Sequence, residues 1–336
     1  MRVFMIGGTG LLGSEGARQL IERGHEVVSI ALDVPQGAPI PPQMELEIGN
    51  YLNMSDDELR RVMAGCDAFV FAAGVDERVE GPAPIYGTYK KFNIDPVRRL
   101  LGLAKECGVK HAVILGSYFA YFAKQHPEMQ LERYHQYIRS RLDQEEAALS
   151  FAGDDFDVAV LELPYIFGTQ PGRRPVWMFV AEQVRGKGNL IMYPKGGSAM
   201  VTVRQVGQAI AGAVEKNRGG RCYPIGWYNL EWAQMLDIMK AALGCSNKKV
   251  VTIPGWMLGL GARQTKKQQA AQGIDGGLDM DHFVPLQTSK VFIDKNLGSV
   301  ELGVTDDDLA AAIGDSMQLC AQIMDGKTNA EGMRGE

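Results

Sequence analysis

A glycine-rich turn near the start of the chain constrains its fold more than any other feature. The segment Gly7-Gly8-Thr9-Gly10-Leu11-Leu12-Gly13 lies between an apolar run at 2–6 and an amphipathic stretch at 11–23. Between a strand and a helix, glycines at this spacing allow a tight turn, close approach of the backbone to a pyrophosphate, and close packing of the helix on the sheet. The pattern therefore predicts a dinucleotide site over a plain structural turn. No Gly-Lys-Ser/Thr follows it, which excludes a Walker-type loop.

The rest of the first half alternates apolar runs with amphipathic segments, as in a parallel sheet covered by helices. We predict an α/β fold with a Rossmann-type doubly wound parallel sheet of about seven strands, each buried on both faces. The composition changes after Pro164, and a smaller C-terminal α/β substrate lobe is expected over the carboxyl edge of the sheet. The expected boundaries are 1–168 for the dinucleotide-binding domain, to which segments around 200–225 return, 169–325 for most of the lobe, and 326–336 for a flexible tail.

Composition and charge argue against several classes of function. The 336 residues carry 35 Lys and Arg against 40 Asp and Glu, a net charge of -5 without a basic stripe, so we expect no nucleic-acid partner. The 5 cysteines form no Cys-x-x-Cys pair and the 5 histidines no His-Glu-x-x-His motif, which predicts a reducing compartment and no metal site. No apolar run approaches the roughly 18 residues of a spanning helix. We expect a cytoplasmic protein with a small-molecule substrate and no membrane partner.

The choice of cofactor depends on the residue that meets the ribose at the end of the second predicted strand. No Lys or Arg stands between Leu32 and Gln43, and Asp33 lies in that loop. An acidic side chain hydrogen-bonds a ribose diol and repels a 2′-phosphate, which favours NAD, with NADP as the alternative. The competing interpretation is that Asp33 merely starts the proline-rich turn at 33–42.

Several segments together resemble the extended short-chain dehydrogenase/reductases, the NAD-dependent epimerase/dehydratase superfamily, from Met1 to about Cys320. Besides the glycine turn, the matching segments are Phe71-Ala72-Ala73-Gly74 on the adenosine-ribose side, Asn93 in the fourth helix, Gly116-Ser117 at a strand end, and Pro164-Tyr165-Ile166-Phe167-Gly168 beside the nicotinamide. With Asp33 added, the predicted cofactor-binding residues are Gly7, Thr9, Gly10, Leu11, Leu12, Gly13, Asp33, Ala72, Ala73, Gly74, Asn93, Tyr137, Arg141, Pro164, Tyr165, Ile166 and Phe167.

The Tyr-x-x-x-Lys pair of that family reads Tyr137-Ile138-Arg139-Ser140-Arg141 in this chain. The four-residue spacing puts Tyr137 and Arg141 on one helix face, where a fixed positive charge lowers the pKa of a phenol and suits it to proton transfer. By resemblance Ser117 completes the catalytic set by holding the substrate oxygen near Tyr137. Arginine keeps the charge but cannot release a proton, so a mechanism that needs a relay through that residue would be slow. The competing interpretation is an ordinary exposed helix pair.

The second half indicates an apolar substrate. Family members that act on nucleotide-sugars carry an arginine before the strand leading into Val203, but no cation lies between Lys195 and Arg204. Large apolar side chains are frequent instead, at Trp177, Met178, Phe179, Trp227, Trp232, Trp256, Met257 and Leu258.

The leading hypothesis is an NAD(P)-dependent oxidoreductase that interconverts a hydroxyl and a carbonyl on a small, largely apolar molecule. Two alternatives stay open: a nucleotide-sugar epimerase or dehydratase, and a catalytically weak NAD(P)-binding regulatory protein. The resemblance also suggests a homodimer that pairs through the long helices near 89–107 and 131–151.

Overall fold

The computed structural model describes residues 1–332. Seven parallel strands form the main sheet, which confirms the predicted doubly wound α/β fold. From one edge to the other they are β11 (Gly220–Pro224), β7 (Asp157–Glu162), β6 (His111–Leu115), β4 (Ala68–Phe71), β1 (Arg2–Ile6), β2 (Glu26–Ala31) and β3 (Glu45–Ile48). The strand order reverses between β1 and β4, and ligands of such sheets bind in the crevice beyond the carboxyl ends of the strands at that point.

Helices cover both faces of this sheet, because alternate residues of the central strands point to opposite sides. In β1, Val3 and Met5 pack in one apolar cluster while Phe4 and Ile6 pack in another. The two edge strands depart from the expectation of burial on both faces. The residues of β3 are half-buried or exposed, and β11 begins with the exposed residues Gly220 and Arg221. The helices are α1 (Leu11–Glu22), α2 (Asp56–Met63), α3 (Tyr86–Tyr89), α4 (Asp95–Glu106), α5 (Tyr118–Gln125), α6 (Leu131–Tyr134), α7 (Gln136–Leu149), α8 (Met178–Arg185), α9 (Val203–Lys216), α10 (Trp232–Ala242), α11 (Gly255–Gln272), α12 (Phe283–Thr288) and α13 (Leu309–Met324).

The two long helices expected near 89–107 and 131–151 are both interrupted. A π-helical turn, Lys90–Ile94, separates α3 from α4. An extended residue, His135, separates α6 from α7, with φ -106° and ψ 106°. Irregular turns of this kind inside a helical segment are frequent at functional sites, and both of them lie beside the tyrosine described below.

The second lobe is built from three small sheets. Four strands, β8 (Tyr165–Phe167), β10 (Gly197–Thr202), β12 (Tyr228–Glu231) and β15 (Lys290–Val291), form one of them. The other two are pairs: β9 (Leu190–Pro194) with β13 (Lys249–Ile253), and β5 (Glu80–Pro82) with β14 (Ile274–Gly276). Of the apolar residues expected to line one substrate pocket, Trp177, Met178 and Trp232 pack in the lobe core, whereas Trp256 is exposed. These side chains therefore do not share one cavity.

Part of the tail expected at 326–336 is hydrogen-bonded to the second lobe. In the segment expected to be a flexible tail, the Glu331 amide donates to Gly172 O and the Glu331 carbonyl accepts from the Arg174 amide. Residues 333–336 of that tail lie outside the described residues. Within residues 1–332, no helix is both long and apolar enough to cross a membrane.

Candidate active site

Two glycines of the turn after β1 are required by the fold itself. Gly7 has a φ of +89°, and a Cβ there would lie 2.5 Å from the carbonyl oxygen of Ala72 at the end of β4. A Cβ on Gly13 would lie 2.1 Å from the carbonyl oxygen of Gly7, so the start of α1 touches the turn directly. Any larger side chain at either position would push α1 away from the sheet.

Gly10 is different, because nothing in the protein requires its small size. Its backbone is extended, with φ -76° and ψ 168°, and the nearest atom to a Cβ would be Gly7 O at an ordinary 3.4 Å. Gly10 is also the N-cap of α1 and offers no side-chain acceptor to the first amides of the helix. The open space in front of uncapped helix amides fits the pyrophosphate of a dinucleotide, which would accept from these amides.

Residues 168–175, here called the strap, cross this region from the second lobe. Gln170 is buried, and its Nε2 donates to Thr9 O and to Ser14 Oγ, each at 3.1 Å. Arg173 Nη2 lies 3.1 Å from Oδ1 of Asp33 at the end of β2. The ribose end of the site therefore holds both a carboxylate and a guanidinium, although no Lys or Arg lies near Asp33 in the sequence. Sequence inspection missed Gln170 and the Arg173 pairing because no local pattern relates a loop to a turn so far away in the chain.

Tyr137 lies buried on the first turn of α7, so it is not part of an exposed helix pair. It is 3% exposed and packs edge-on against Tyr89 and Phe119, with ring centroids 5.5 and 6.1 Å away. Ser117 ends the strand–helix turn between β6 and α5, and its side chain lies close enough to Tyr137 to lower the pKa of the phenol. The three predicted catalytic residues, Ser117, Tyr137 and Arg141, are thus brought together.

Arg141 joins the ends of two sheet strands beneath Tyr137. Its guanidinium carbon lies 5.1 Å from the centre of the Tyr137 ring. Nη2 donates to Val75 O at 3.0 Å, beyond the end of β4, and Nη1 donates to Gln144 Oε1 at 2.8 Å and to Leu115 O, at the end of β6, at 3.5 Å. Among the described residues its buried Nε has no hydrogen-bond partner. A planar fork can hold several acceptors at once, whereas a lysine presents a single point of charge.

Both polar atoms of the Asn93 side chain form hydrogen bonds within the protein. Its Oδ1 accepts from the Val75 amide at 2.8 Å and its Nδ2 donates to Val75 O at 3.0 Å. Gln144 Nε2 donates in turn to Asn93 O at 2.8 Å, which links Asn93 to Arg141. Gly74 is needed for this contact, because it has a φ of +119° and a Cβ would lie 2.5 Å from Asn93 Oδ1. Asn93 thus fixes the chain beyond β4, where Ala72, Ala73 and Gly74 follow.

The charges around Tyr137 act on it in opposite directions. Burial raises the pKa of Tyr137, and the carboxyl groups of Glu77 and Asp76 raise it further. Arg141 and the nearby Ser117 hydroxyl lower this pKa, but the net change is a rise. Glu77 is itself unusual, because burial and the neighbouring Asp76 raise its pKa to about 7. The phenol is therefore protonated at neutral pH and is a proton donor in this state. Glu77 was not among the predicted site residues, since no motif marks it.

A segment of the second lobe holds the start of α7 in place. The Tyr137 amide donates to Gly277 O at 2.9 Å, and the Asp279 amide donates to His135 Nδ1 at 3.0 Å. A Cβ on Gly277 would lie 2.2 Å from the Tyr89 hydroxyl oxygen. Burial of His135 lowers its pKa to about 4, so the ring is neutral and accepts this bond near pH 7. We call the contacts of Gly277 and Asp279 with α7 the clasp.

The remaining predicted residues flank this site. The chain from Pro164 to Phe167 runs beside α5, since the Tyr118 amide donates to Leu163 O at 3.0 Å and the Tyr165 ring packs edge-on against Tyr118. Phe167 instead stacks on Trp177 in the lobe core. Leu11 and Leu12 begin α1 and are partly buried. The predicted catalytic residues thus lie close together, whereas Phe167 belongs to the core of the second lobe.

Comparison with known proteins agrees with this geometry. Residues 7–171 match the sequence profile of the NAD(P)H-binding family. This half of the chain is therefore an NAD(P)H-binding domain, and NAD(P) is its cofactor.

Relatives and solved structures extend the likeness over nearly the whole chain. A protein of Synechocystis sp. that is provisionally named dihydroflavonol 4-reductase is 24% identical over 338 residues, which cover 94% of this chain and 93% of the relative. A nucleoside-diphosphate-sugar epimerase from Pseudomonas aeruginosa superposes with a TM-score of 0.68 at 17% identity, over 98% of this chain and 99% of that one. The UDP-glucose 4-epimerase of Bifidobacterium longum, solved with NAD+ and UDP, gives a TM-score of 0.67 at 15% identity, over 97% and 99%.

Proposed function

We propose that this protein, which has the NAD(P)H-binding domain and the fold of the extended short-chain dehydrogenase/reductase superfamily, interconverts a hydroxyl and a carbonyl on a small, largely apolar molecule. The observation that carries the proposal is the cluster of Ser117, Tyr137 and Arg141 at the far end of the groove that begins at the glycine turn. In this proposal the fold supplies a cofactor site and a buried proton donor to one substrate oxygen.

Binding of the cofactor uses polar groups that have no side-chain hydrogen-bond partner among the described residues. The amides at the start of α1 hold the pyrophosphate, with Gly10 giving it room. The unpartnered Nε of Arg141 suits a ribose hydroxyl, which can accept a hydrogen bond. When bound, the nicotinamide supplies or accepts a hydride, chemistry that no side chain can provide.

The proton is handled by Tyr137 and Ser117. A carbonyl that gains a hydride develops negative charge on oxygen, and a phenol within hydrogen-bond reach can neutralise it by donating its proton. Ser117 binds the same oxygen and orients it toward Tyr137. Because burial keeps the pKa of Tyr137 above its ordinary value, the phenol is protonated at neutral pH and ready to donate to the oxygen of a carbonyl substrate.

Arg141 contributes a fixed positive charge that limits the rise of the Tyr137 pKa. It cannot serve as a proton relay, because guanidinium stays charged throughout the physiological range. In the proposed reaction its role is electrostatic and positional, since it also ties the ends of β4 and β6 together.

The surroundings of Tyr137 support an apolar substrate. Its neighbours Tyr89, Phe119 and Tyr118 belong to one buried apolar cluster. Between Lys195 and Arg204 the sequence offers no cation for a diphosphate. The relative from Synechocystis sp. is provisionally named a reductase of dihydroflavonol, which agrees with reduction of a small molecule that is not a nucleotide-sugar.

The decisive experiment is replacement of Tyr137 by Phe. We expect turnover of an aryl ketone panel with NADH or NADPH to fall by about 10²- to 10⁴-fold, the usual contribution of a general acid, while cofactor binding is retained. Tyr121→Phe is the matched control, since Tyr121 lies on α5 outside the hydrogen bonds of the site and should keep full activity. Full activity of the Tyr137→Phe variant would refute the proposed role.

Two alternatives make different predictions. Nucleotide-sugar epimerisation is favoured by the fold shared with the UDP-glucose epimerase, and it predicts thermal stabilisation by UDP-sugars, which an apolar-substrate enzyme would lack. A catalytically weak regulator is favoured by the engagement of Arg141 with three protein acceptors. That alternative predicts a large rise in rate on Arg141→Lys, whereas the proposed enzyme should gain little.

A further inference from the structure

The pair of strands β9 and β13 has one buried and one exposed apolar face. Ile191 belongs to the lobe core, and Val250 packs against it. On the opposite face Leu190 and Met192 are 59% and 54% exposed, and Val251, which pairs with Met192, is 41% exposed. Large aliphatic side chains gathered on an exposed strand pair need a reason, because isolated exposed apolar residues are common but contiguous ones are not.

The most exposed tryptophan of the described residues, Trp256, follows shortly after the end of β13. Trp256 is 69% exposed in the first turn of α11, and Leu260 is 57% exposed one turn later. The polar residues of α11 follow in its second half, so the helix is divided along its length rather than into two faces. Leu190, Met192, Val251, Trp256 and Leu260 are here called the apolar patch.

The chain segment that contains Val251, Trp256 and Leu260 has a charge opposite to that of the whole protein. From 238 to 274 the sequence contains six cations and no acidic residue, although the net charge of the chain is -5. Two of these cations are neutralised by carboxylates, since Lys240 pairs with Asp237, and Lys266 pairs with Asp279 and Asp281. Within residues 1–332 the other four, Lys248, Lys249, Arg263 and Lys267, have no carboxylate partner.

These two properties together select the kind of partner. A second copy of this chain would bring a second set of unpaired cations against the first, and like charges oppose that contact. Nucleic acid would neutralise the cations, but its backbone offers nothing to bury exposed Leu, Met and Val side chains against. An anionic bilayer satisfies both requirements, because its headgroups attract Lys and Arg while its acyl boundary accepts apolar side chains, with Trp favoured at the interface.

We propose that the apolar patch docks this protein on the surface of an anionic lipid bilayer, with Trp256 and Leu260 at the acyl boundary and Lys249 and Arg263 among the headgroups. The sequence-based expectation of no membrane partner concerned spanning helices, and surface docking requires none. Helix α11 continues from the apolar patch into β14 and the clasp beside Tyr137.

The test uses the full chain with vesicles of phosphatidylcholine alone or mixed with phosphatidylglycerol. We expect co-sedimentation only with the mixed vesicles, a shift of tryptophan fluorescence to shorter wavelength, and release by salt. The double variant Trp256→Ser with Leu260→Ser should bind at least about tenfold less, because both the apolar area and the interfacial ring are lost. Since both residues are exposed, the circular dichroism spectrum should be unchanged.

Ile48→Ser is the matched control, because Ile48 has the same 57% exposure as Leu260 but follows the acidic residues Glu45 and Glu47 on β3. It should bind mixed vesicles like the parent protein. Absence of binding to the mixed vesicles, or an equal loss in the control, would overturn the proposal. So would a dimer in vesicle-free solution that the double variant abolishes, since the patch would then serve a second copy. Ketone reduction measured without vesicles is independent of all these outcomes.

Discussion

The two ends of the proposed cofactor groove are built in opposite ways. At the glycine end, consecutive residues from Gly7 to Gly13 form the site, and the groups that bind are backbone amides. At the tyrosine end, four distant segments meet, represented by Val75, Ser117, Tyr137 and Gly277. The binding groups of the first end therefore belong to one continuous segment, whereas the second end depends on every segment that contacts α7.

The two ends also differ in how their charged groups respond to pH. Backbone amides and a helix dipole do not titrate, so phosphate binding at Gly10 should vary little with pH. Around Tyr137, in contrast, Glu77 and His135 have shifted pKa values, both caused mainly by burial. We therefore expect the pH dependence of the protein to arise at the tyrosine end.

The largest effect should follow from removal of the charge beneath Tyr137. Arg141→Met removes the hydrogen bonds that Arg141 donates to the carbonyls of Val75 and Leu115, and it removes the charge that lowers the Tyr137 pKa. Turnover should fall by roughly a thousandfold, within the range for a disabled general acid. Arg141→Lys, which keeps the charge, should stay within about tenfold of the parent.

Arg139→Met supplies the control for the Arg141 series. Arg139 lies on the same helix but is exposed. Its contacts are an ion pair with Asp143 and the ring of Tyr86, both outside the proposed site, so its loss should not change turnover measurably. Steady-state kinetics of the three variants make the comparison. Parent-like turnover in the Arg141→Met protein would mean that the tyrosine end does not depend on its buried charge.

An intermediate effect is expected from acid acting on the clasp. His135 has a folded pKa of about 4, below its unfolded value of 6.5, so its contribution to stability is complete above pH 6.5. It is lost as the pH falls from 6.5 toward 4, because the unfolded state then binds the proton more tightly. The loss can reach about 3 kcal/mol of the free energy of unfolding. His135→Gln, whose amide oxygen can accept from Asp279 without titrating, should lose much less.

Urea denaturation at pH 7.5 and pH 5 measures this difference. His126 is 44% exposed beside Glu128, so His126→Gln should leave the pH dependence of the parent in place. The acidic side chain facing His135 is Asp279, and His282 lies beyond it. An identical pH dependence in His135→Gln and the parent protein would show that the clasp does not titrate.

The smallest effect should come from the glycine end, where alanine substitutions at two glycines test cofactor binding and folding separately. A Cβ on Gly10 meets nothing closer than 3.4 Å, so Gly10→Ala should fold normally but bind NADH about tenfold more weakly, since the methyl group occupies the phosphate position. Gly13→Ala should instead destabilise the fold by about 1–3 kcal/mol through overpacking. Fluorescence titration and thermal denaturation distinguish the two. Equal loss of affinity without loss of stability in both variants would contradict this division.

Sequence patterns anticipated most of the main sheet, because buried strands and amphipathic helices repeat with periods that a single segment displays. The cap of α2 at Ser55, with Glu58 completing a capping box, is one such local signal. The same patterns missed the breaks at His135 and Lys90–Ile94, since a residue turned out of a helix by contacts elsewhere carries no local mark. They also grouped Trp177 and Trp256 into one pocket, although one is buried and the other exposed.

The sequence by itself determined the glycine turn, the strand–helix alternation and the adjacency of Tyr137 and Arg141 on one helix face, because each depends on contacts within a few residues. Tertiary structure alone decided that Arg173 meets Asp33, that Glu77 lies near Tyr137, and that Gly277 accepts from the Tyr137 amide. Those contacts join residues sixty or more positions apart. Their geometry follows from how whole layers pack, and the burial that shifts a pKa is a property of the packed layers rather than of any segment.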